Sequence, residues 1–179
     1  MNKKRIITIT IVVAILVATS VFAASRISDV ARSSITASNV KIELLMLENK
    51  GSGEAAVTGE TTVVPGEEVS RIAKIENTGN ETAWVRLKPT LVLSDGSEDP
   101  NLIELNGIDS DKWVQQGDYW YYKEALAPGE TSDALFTSVT ISDSIDTSFD
   151  GANLKVDADG TQFKNNGSTV LEAQGWTAE

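Results

Sequence analysis

The sequence predicts an all-β protein: a jelly-roll-like antiparallel β-sandwich of about eight or nine strands over residues 39–179. Three observations lead there. Apolar and polar residues alternate at period two in several short segments. Turn residues recur between those segments at sandwich-like spacing. No segment carries a long amphipathic helical stripe.

The chain begins with segments that stand apart from this domain. "MNKKR" is basic, and "IITITIVVAILVATSVFAA" is an uncharged run that ends in small residues. Val21 and Ala23, or Phe22 and Ala24, occupy the −3 and −1 places of a cleavage site, so residues 1–24 read as a secretory signal peptide. An uncleaved membrane anchor is the alternative, since about 20 apolar residues span a bilayer. Thr8, Thr10, Thr19, Ser20 and the Ala-rich exit favour cleavage. Residues 25–38, "SRISDVARSSITAS", are polar and Ser-rich, with Ile27, Val30, Ile35 and Ala37 as the apolar positions. These are too few for a core element. The segment reads as a flexible arm, or as an extended piece that borrows its partners.

From residue 39 the pattern changes. "VKIELLML" sets Val40, Ile42 and Leu44 at period two, a strand signal, and a Gly-rich loop follows. After Pro65-Gly66, Val69, Arg71, Ala73 and Ile75 alternate with Ser70, Ile72, Lys74 and Glu76. "ENTGNE" supplies a turn, because Asn and Gly tolerate positive φ. Val85, Leu87, Leu91 and Leu93 then lie on one side of a second alternating segment, with Arg86, Lys88 and Thr90 on the other. The charges of this hairpin are expected to face outward. Pro89 predicts an edge position or a bulge. "SDGSEDPN" reads as a loop, and "NLIELNGIDSDKWVQQGD" as a short helix or an irregular crossing. Two strands are expected around Pro128-Gly129. The last part reads as a strand, a tight turn at residues 157–160, and further short strands.

Composition narrows the function. The 15 basic and 26 acidic residues become 12 and 26 once Lys3, Lys4 and Arg5 are removed, a net charge of −14. That surface repels nucleic acid and anionic lipid. The chain has neither cysteine nor histidine. Cys nucleophiles, His general bases, Ser-His-Asp triads and His-based metal sites are therefore impossible. No other nucleophile–base pair stands out, and neither enzymatic activity nor a cofactor is expected.

The remaining motifs have plain readings. "DADGT" begins like a calcium loop, but Gln162 and Ser168 stand where an EF-hand requires Gly and Glu, so a hairpin turn is the better reading. "SDGSEDP" is a solvated acidic loop. Trp113, Tyr119, Trp120, Tyr121 and Tyr122 form the densest aromatic patch. Alternation puts Trp120 and Tyr122 on one face of a strand and Tyr119 and Tyr121 on the other; with the first face in the core, Tyr119 and Tyr121 are the candidate surface aromatics. Asn80-Glu81-Thr82 and Asn166-Gly167-Ser168 match the glycosylation sequon.

In order, "ITASNVKIEL", "VVPGEEVSRIAKIENTGNETAWVRL" and "WYYKEALAPGETSDALFTSVTI" resemble the TasA/camelysin family of exported proteins of Gram-positive bacteria. The likeness covers most of the chain, through short motifs that mainly describe β architecture. It implies processing by a dedicated signal peptidase, no lasting membrane anchor, and a place in the extracellular matrix or at the cell surface. It implies a jelly-roll-like sandwich that assembles into homopolymeric fibres, with other matrix proteins as further partners. Fibre-forming members exchange donor strands, and the donor maps here to residues 25–38, with Ile27, Val30, Ile35 and Ala37 as its apolar positions. The alternatives are a monomeric surface binding or adhesin module, and a camelysin-like protease, for which the residues offer no machinery.

Overall fold

The computed structural model describes residues 25–35, 40–145 and 151–177. The expected signal peptide and Ala37 lie outside them. In chain order the strands are β1 (Ser25–Ile35), β2 (Ile42–Asn49), β3 (Glu54–Ala56), β4 (Thr61–Val63) and β5 (Glu68–Ser70). They continue with β6 (Ile72–Asn77), β7 (Ala83–Leu93), β8 (Glu98–Asp99), β9 (Ile103–Asn106) and β10 (Trp113–Gln116). The last three are β11 (Tyr119–Tyr122), β12 (Ser138–Ile141) and β13 (Ala152–Gln162). The helical content of the described residues is two short 3₁₀ turns, Pro100–Leu102 and Val170–Glu172.

The fold is the all-β sandwich that the alternation predicts. One layer is a seven-stranded sheet in the order β10-β11-β7-β13-β1-β4, with β8 beside β7. The other layer joins β3-β2-β6 and β5-β12-β9. These two pieces are stitched by the chain between β11 and β12: Ser132 N donates to Ile75 O (2.8 Å) and Leu135 N to Ala73 O (2.9 Å). Among the described residues thirteen strands replace the expected eight or nine, in part because short pieces such as β3 and β8 form inside stretches that read as loops. Their ladders come from neighbours distant in sequence, which local composition does not register.

Both Pro-Gly corners form tight turns ahead of the chain's return into the sandwich. Glu67 N donates to Val64 O (2.9 Å) and Glu130 N to Ala127 O (3.0 Å), with Gly66 and Gly129 at φ of 84° and 80°. Pro presets φ at the first corner position and Gly supplies the positive φ at the second. The core lies between the layers. Val85, Leu87 and Leu91 of β7 and Leu154, Val156 and Ala158 of β13 face Ile42, Leu44, Ala73, Ile75, Leu135, Phe136, Val139 and Ile141.

Several local expectations are corrected. Residues 157–160 do not turn; they continue β13, paired with β7 on one flank and β1 on the other. Gly160 serves close approach instead: a Cβ there would lie 3.1 Å from Ile42 Cγ2 and 3.3 Å from Val40 Cγ1. Pro89 lies in a central strand, not at an edge. On the flank away from β13, however, β11 pairs with β7 only at Arg86 and Leu87, and β8 only at Leu91 and Val92. Pro89 falls in the gap between them, where a missing N–H costs no ladder bond. Arg71 and Arg86 do not face solvent; they are 1% and 7% exposed, each drawn inward by a carboxylate.

Candidate assembly site at the N-terminal strand

β1 occupies an interior slot of the seven-stranded sheet. It runs parallel to β13 from Ile27 opposite Ala152 to Ile35 opposite Gly160. It runs antiparallel to β4, with Ser25 opposite Val63 and Ile27 opposite Thr61. Among the described residues this is the only parallel pair, and β4 has no other strand partner. β1 is therefore what attaches β4 to the sheet.

Of the candidate arm residues, Ile27 and Ile35 are placed by backbone register, and Val30 is 36% exposed. The side chain turned inward is that of its neighbour Asp29, 8% exposed, at a position that apolar alternation does not mark. Asp29 lies opposite Leu154, a core residue, and so shares the sheet's inner face. Arg71, in the one-residue gap between β5 and β6, reaches across from the other layer to meet it. Arg71 Nε donates to Asp29 Oδ2 at 2.9 Å, Nη2 to Thr61 Oγ1 at 2.6 Å and Nη1 to the Ser70 carbonyl at 2.8 Å. Glu48 Oε2 lies 3.9 Å from Nη1. One guanidinium thus joins β1, β4 and the second layer. Burial pushes the Asp29 carboxyl above the ordinary carboxylate range, against the pull of Arg71, and Glu48 adds to the rise. Asp29 Oδ1 is buried with no hydrogen-bond partner among the described residues.

The aromatic strand resolves into two environments. Tyr122 joins Trp113 in the core, their rings 4.9 Å apart, and donates through its hydroxyl to Asp133 Oδ2 at 2.7 Å. Burial first, then Asp133, pushes that phenol up to about 12. Tyr121, expected at the surface, is 9% exposed, and Tyr119 is half-buried. The C-terminal segment folds over the outer face of the sheet and covers them. Val170 and Ala173 pack with Trp84 and Tyr121, and Trp176 sits edge-on to Tyr121 at 5.6 Å.

A second buried ion pair fastens that segment. Arg86 Nη2 and Nε donate to Asp159 Oδ2 at 2.9 and 3.1 Å, and the guanidinium stacks 3.7 Å above the Tyr119 ring. Thr177 closes the arrangement through its backbone N–H and hydroxyl, which donate to Asp159 at 2.9 and 2.8 Å. Asn166 organises the turn before it: Nδ2 donates to the carbonyls of Gln162 and Gln174, and Oδ1 accepts from Gln174 N at 2.7 Å. The amide of that sequon is thus buried and bonded. Asp157 and Asp159 of "DADGT" serve Lys155 and Arg86, and among the described residues no group of three or more acids is placed to hold a metal.

The described residues thus form a two-layer β-sandwich whose first strand, parallel to the last, completes the larger sheet. No family model, curated protein or solved structure matches the chain.

Proposed function

We propose that the protein is an exported structural subunit that assembles head to tail, the N-terminal strand of one copy completing the sheet of the next. The observation that carries this reading is the position of β1. Removal of residues 1–24 would make it the terminal strand, and it fills an interior slot and makes the one parallel pair among the described residues. A terminal strand can leave its slot without unthreading another strand. It would leave behind the long edge of β13, and an open strand edge is a template for pairing with another chain. The same contacts re-form when a second copy donates its strand, so exchange costs little beyond association itself. Donation that does not close into a ring gives filaments. Export fits the basic, apolar and small-residue pattern of residues 1–24, and the resemblance to TasA/camelysin motifs supports a matrix or cell-surface setting.

Cysteine chemistry provides the test, because the chain has no cysteine of its own. Val30→Cys and Lys155→Cys are placed in separate copies of residues 25–179; the two positions are aligned partners across β1 and β13. Exchange yields a disulfide between molecules when the copies are mixed, and electron microscopy shows filaments that vanish when residues 25–38 are deleted. Monomers with and without the arm, and no cross-link on mixing, would sink the proposal. A monomeric surface binding module is the second reading. It is favoured by β1 being seated in its own chain and by an open cleft of about 320 Å³ lined by Asn101, Gln115, Asp118 and Trp120.

A further inference from the structure

We infer that Arg71 reads the strand that fills the slot: the protein accepts an extended segment of a second copy only in the register that sets a carboxylate against this guanidinium. This rests on the exchange reading above and adds what decides which strand, and which alignment, is taken.

Backbone pairing alone does not specify register. The edges of β13 and β4 offer the same amide ladder to any extended segment, and strands slip where their faces are weakly distinguished. The arm is such a strand, Ser-rich with scattered small apolar residues. Its one acidic residue is Asp29. Arg71 is 1% exposed, and Asp29 supplies its closest carboxylate, at 2.9 Å, while Glu48 stands at 3.9 Å. A slip of one residue would send Asp29 to the opposite face of the sheet. A slip of two would move it about 7 Å along the strand, beyond hydrogen-bond reach, and bring Ile27 or Ala31 to that register position. Either slip leaves a buried guanidinium facing a segment with no charge to meet it. The same holds for a foreign segment without an acid at this place, and a basic residue there would be repelled outright.

Arg71 also holds Thr61 at 2.6 Å, and β4 hangs on β1. The register set at Asp29 is therefore passed to both flanks of the slot at once. The unmet Asp29 Oδ1 fits a pair retained for alignment more than for stability.

The test is orthogonal assembly. A chain carrying Asp29→Arg with Arg71→Asp is matched within itself, as the native chain is, and mismatched with the native chain. Each is prepared with Val30→Cys or Lys155→Cys, and cross-linking between molecules is measured for like and unlike mixtures. Like mixtures should cross-link, and unlike mixtures should fall at least about 100-fold below them. Equal cross-linking in like and unlike mixtures overturns the inference while leaving strand exchange standing. No cross-link between native copies overturns strand exchange, and the inference with it. Should the doubly reversed chain fail to fold, a peptide of residues 25–38 decides. The native peptide should block cross-linking of the native chain, with the Asp29→Lys peptide needing at least about 100-fold more. Equal potency of the two peptides also overturns the inference.

Discussion

Arg86→Met is the sharpest test of how the outer face of the sheet is built. The substitution removes a guanidinium whose side chain is 8% exposed from a carboxylate that is 7% exposed. Breaking one side of a buried pair costs about 3–5 kcal/mol, because the remaining charge is stranded. Here Asp159 keeps the backbone and hydroxyl donors of Thr177 at 2.9 and 2.8 Å, which places the loss near the low end, about 3 kcal/mol. The stack over Tyr119 adds about 1 kcal/mol. A total of about 4 kcal/mol, with a urea slope of about 2 kcal/mol/M, lowers the unfolding midpoint by about 2 M. Tryptophan fluorescence reports it, since Trp84 and Trp176 both lie in the affected cluster. The double variant Arg86→Met with Asp159→Leu removes the stranded charge and should recover at least about 2 kcal/mol relative to the sum of the two singles. A midpoint shift below about 0.5 M for Arg86→Met, or strict additivity in the double variant, would mean that the pair with Asp159 does not hold the outer face.

The slot, the crossing and the core hydroxyl give three further expectations. Because Asp29 titrates above its ordinary range when β1 is docked, the docked arm holds its proton more tightly than the free arm. Docking is therefore strongest below the ordinary value and weakens as pH rises through the raised one. Strand exchange between labelled native copies should slow as pH falls from about 7 to about 4, and Asp29→Asn should flatten that dependence; an unchanged slope in the variant would assign the effect to another group. Gly160→Val drives two methyls toward Ile42 and Val40 and should cost about 1–3 kcal/mol in urea denaturation, with a neutral result excluding the close crossing. Tyr122, held up at about 12, lends stability that is complete below the ordinary tyrosine value and is lost as pH rises through about 12. Ultraviolet titration should show a late-ionising phenol that disappears in Tyr122→Phe, and its persistence would assign the late ionisation to another tyrosine.

Much of the sandwich is legible in the sequence because period-two alternation and Pro-Gly corners are local properties. Val85, Leu87 and Leu91 had to share a face, and Pro65-Gly66 and Pro128-Gly129 had to turn, whatever the rest of the chain did. The N-terminal strand was legible as an exception: residues 25–38 carry too little apolar surface to form an element alone. Asp29 was not, because alternation marks apolar positions, and its side chain turns inward toward a partner 42 residues away, Arg71.

The other departures from local pattern share that cause. "DADGT" has turn composition, yet flanking strands on both sides keep it extended, with Asp159 neutralised by Arg86 and Gly160 making room for the crossing of Val40 and Ile42. Tyr121 alternates outward, as expected, but outward at that place is beneath the C-terminal segment. Residue order alone sets which positions alternate, where the chain turns, and that neither His nor Cys is present. Which charges go inside, and what fills the slot beside β13, depends on long-range packing. Alternation assigns a residue to a face; burial of that face, and the partner that makes a buried charge tolerable, depend on segments far away in the chain.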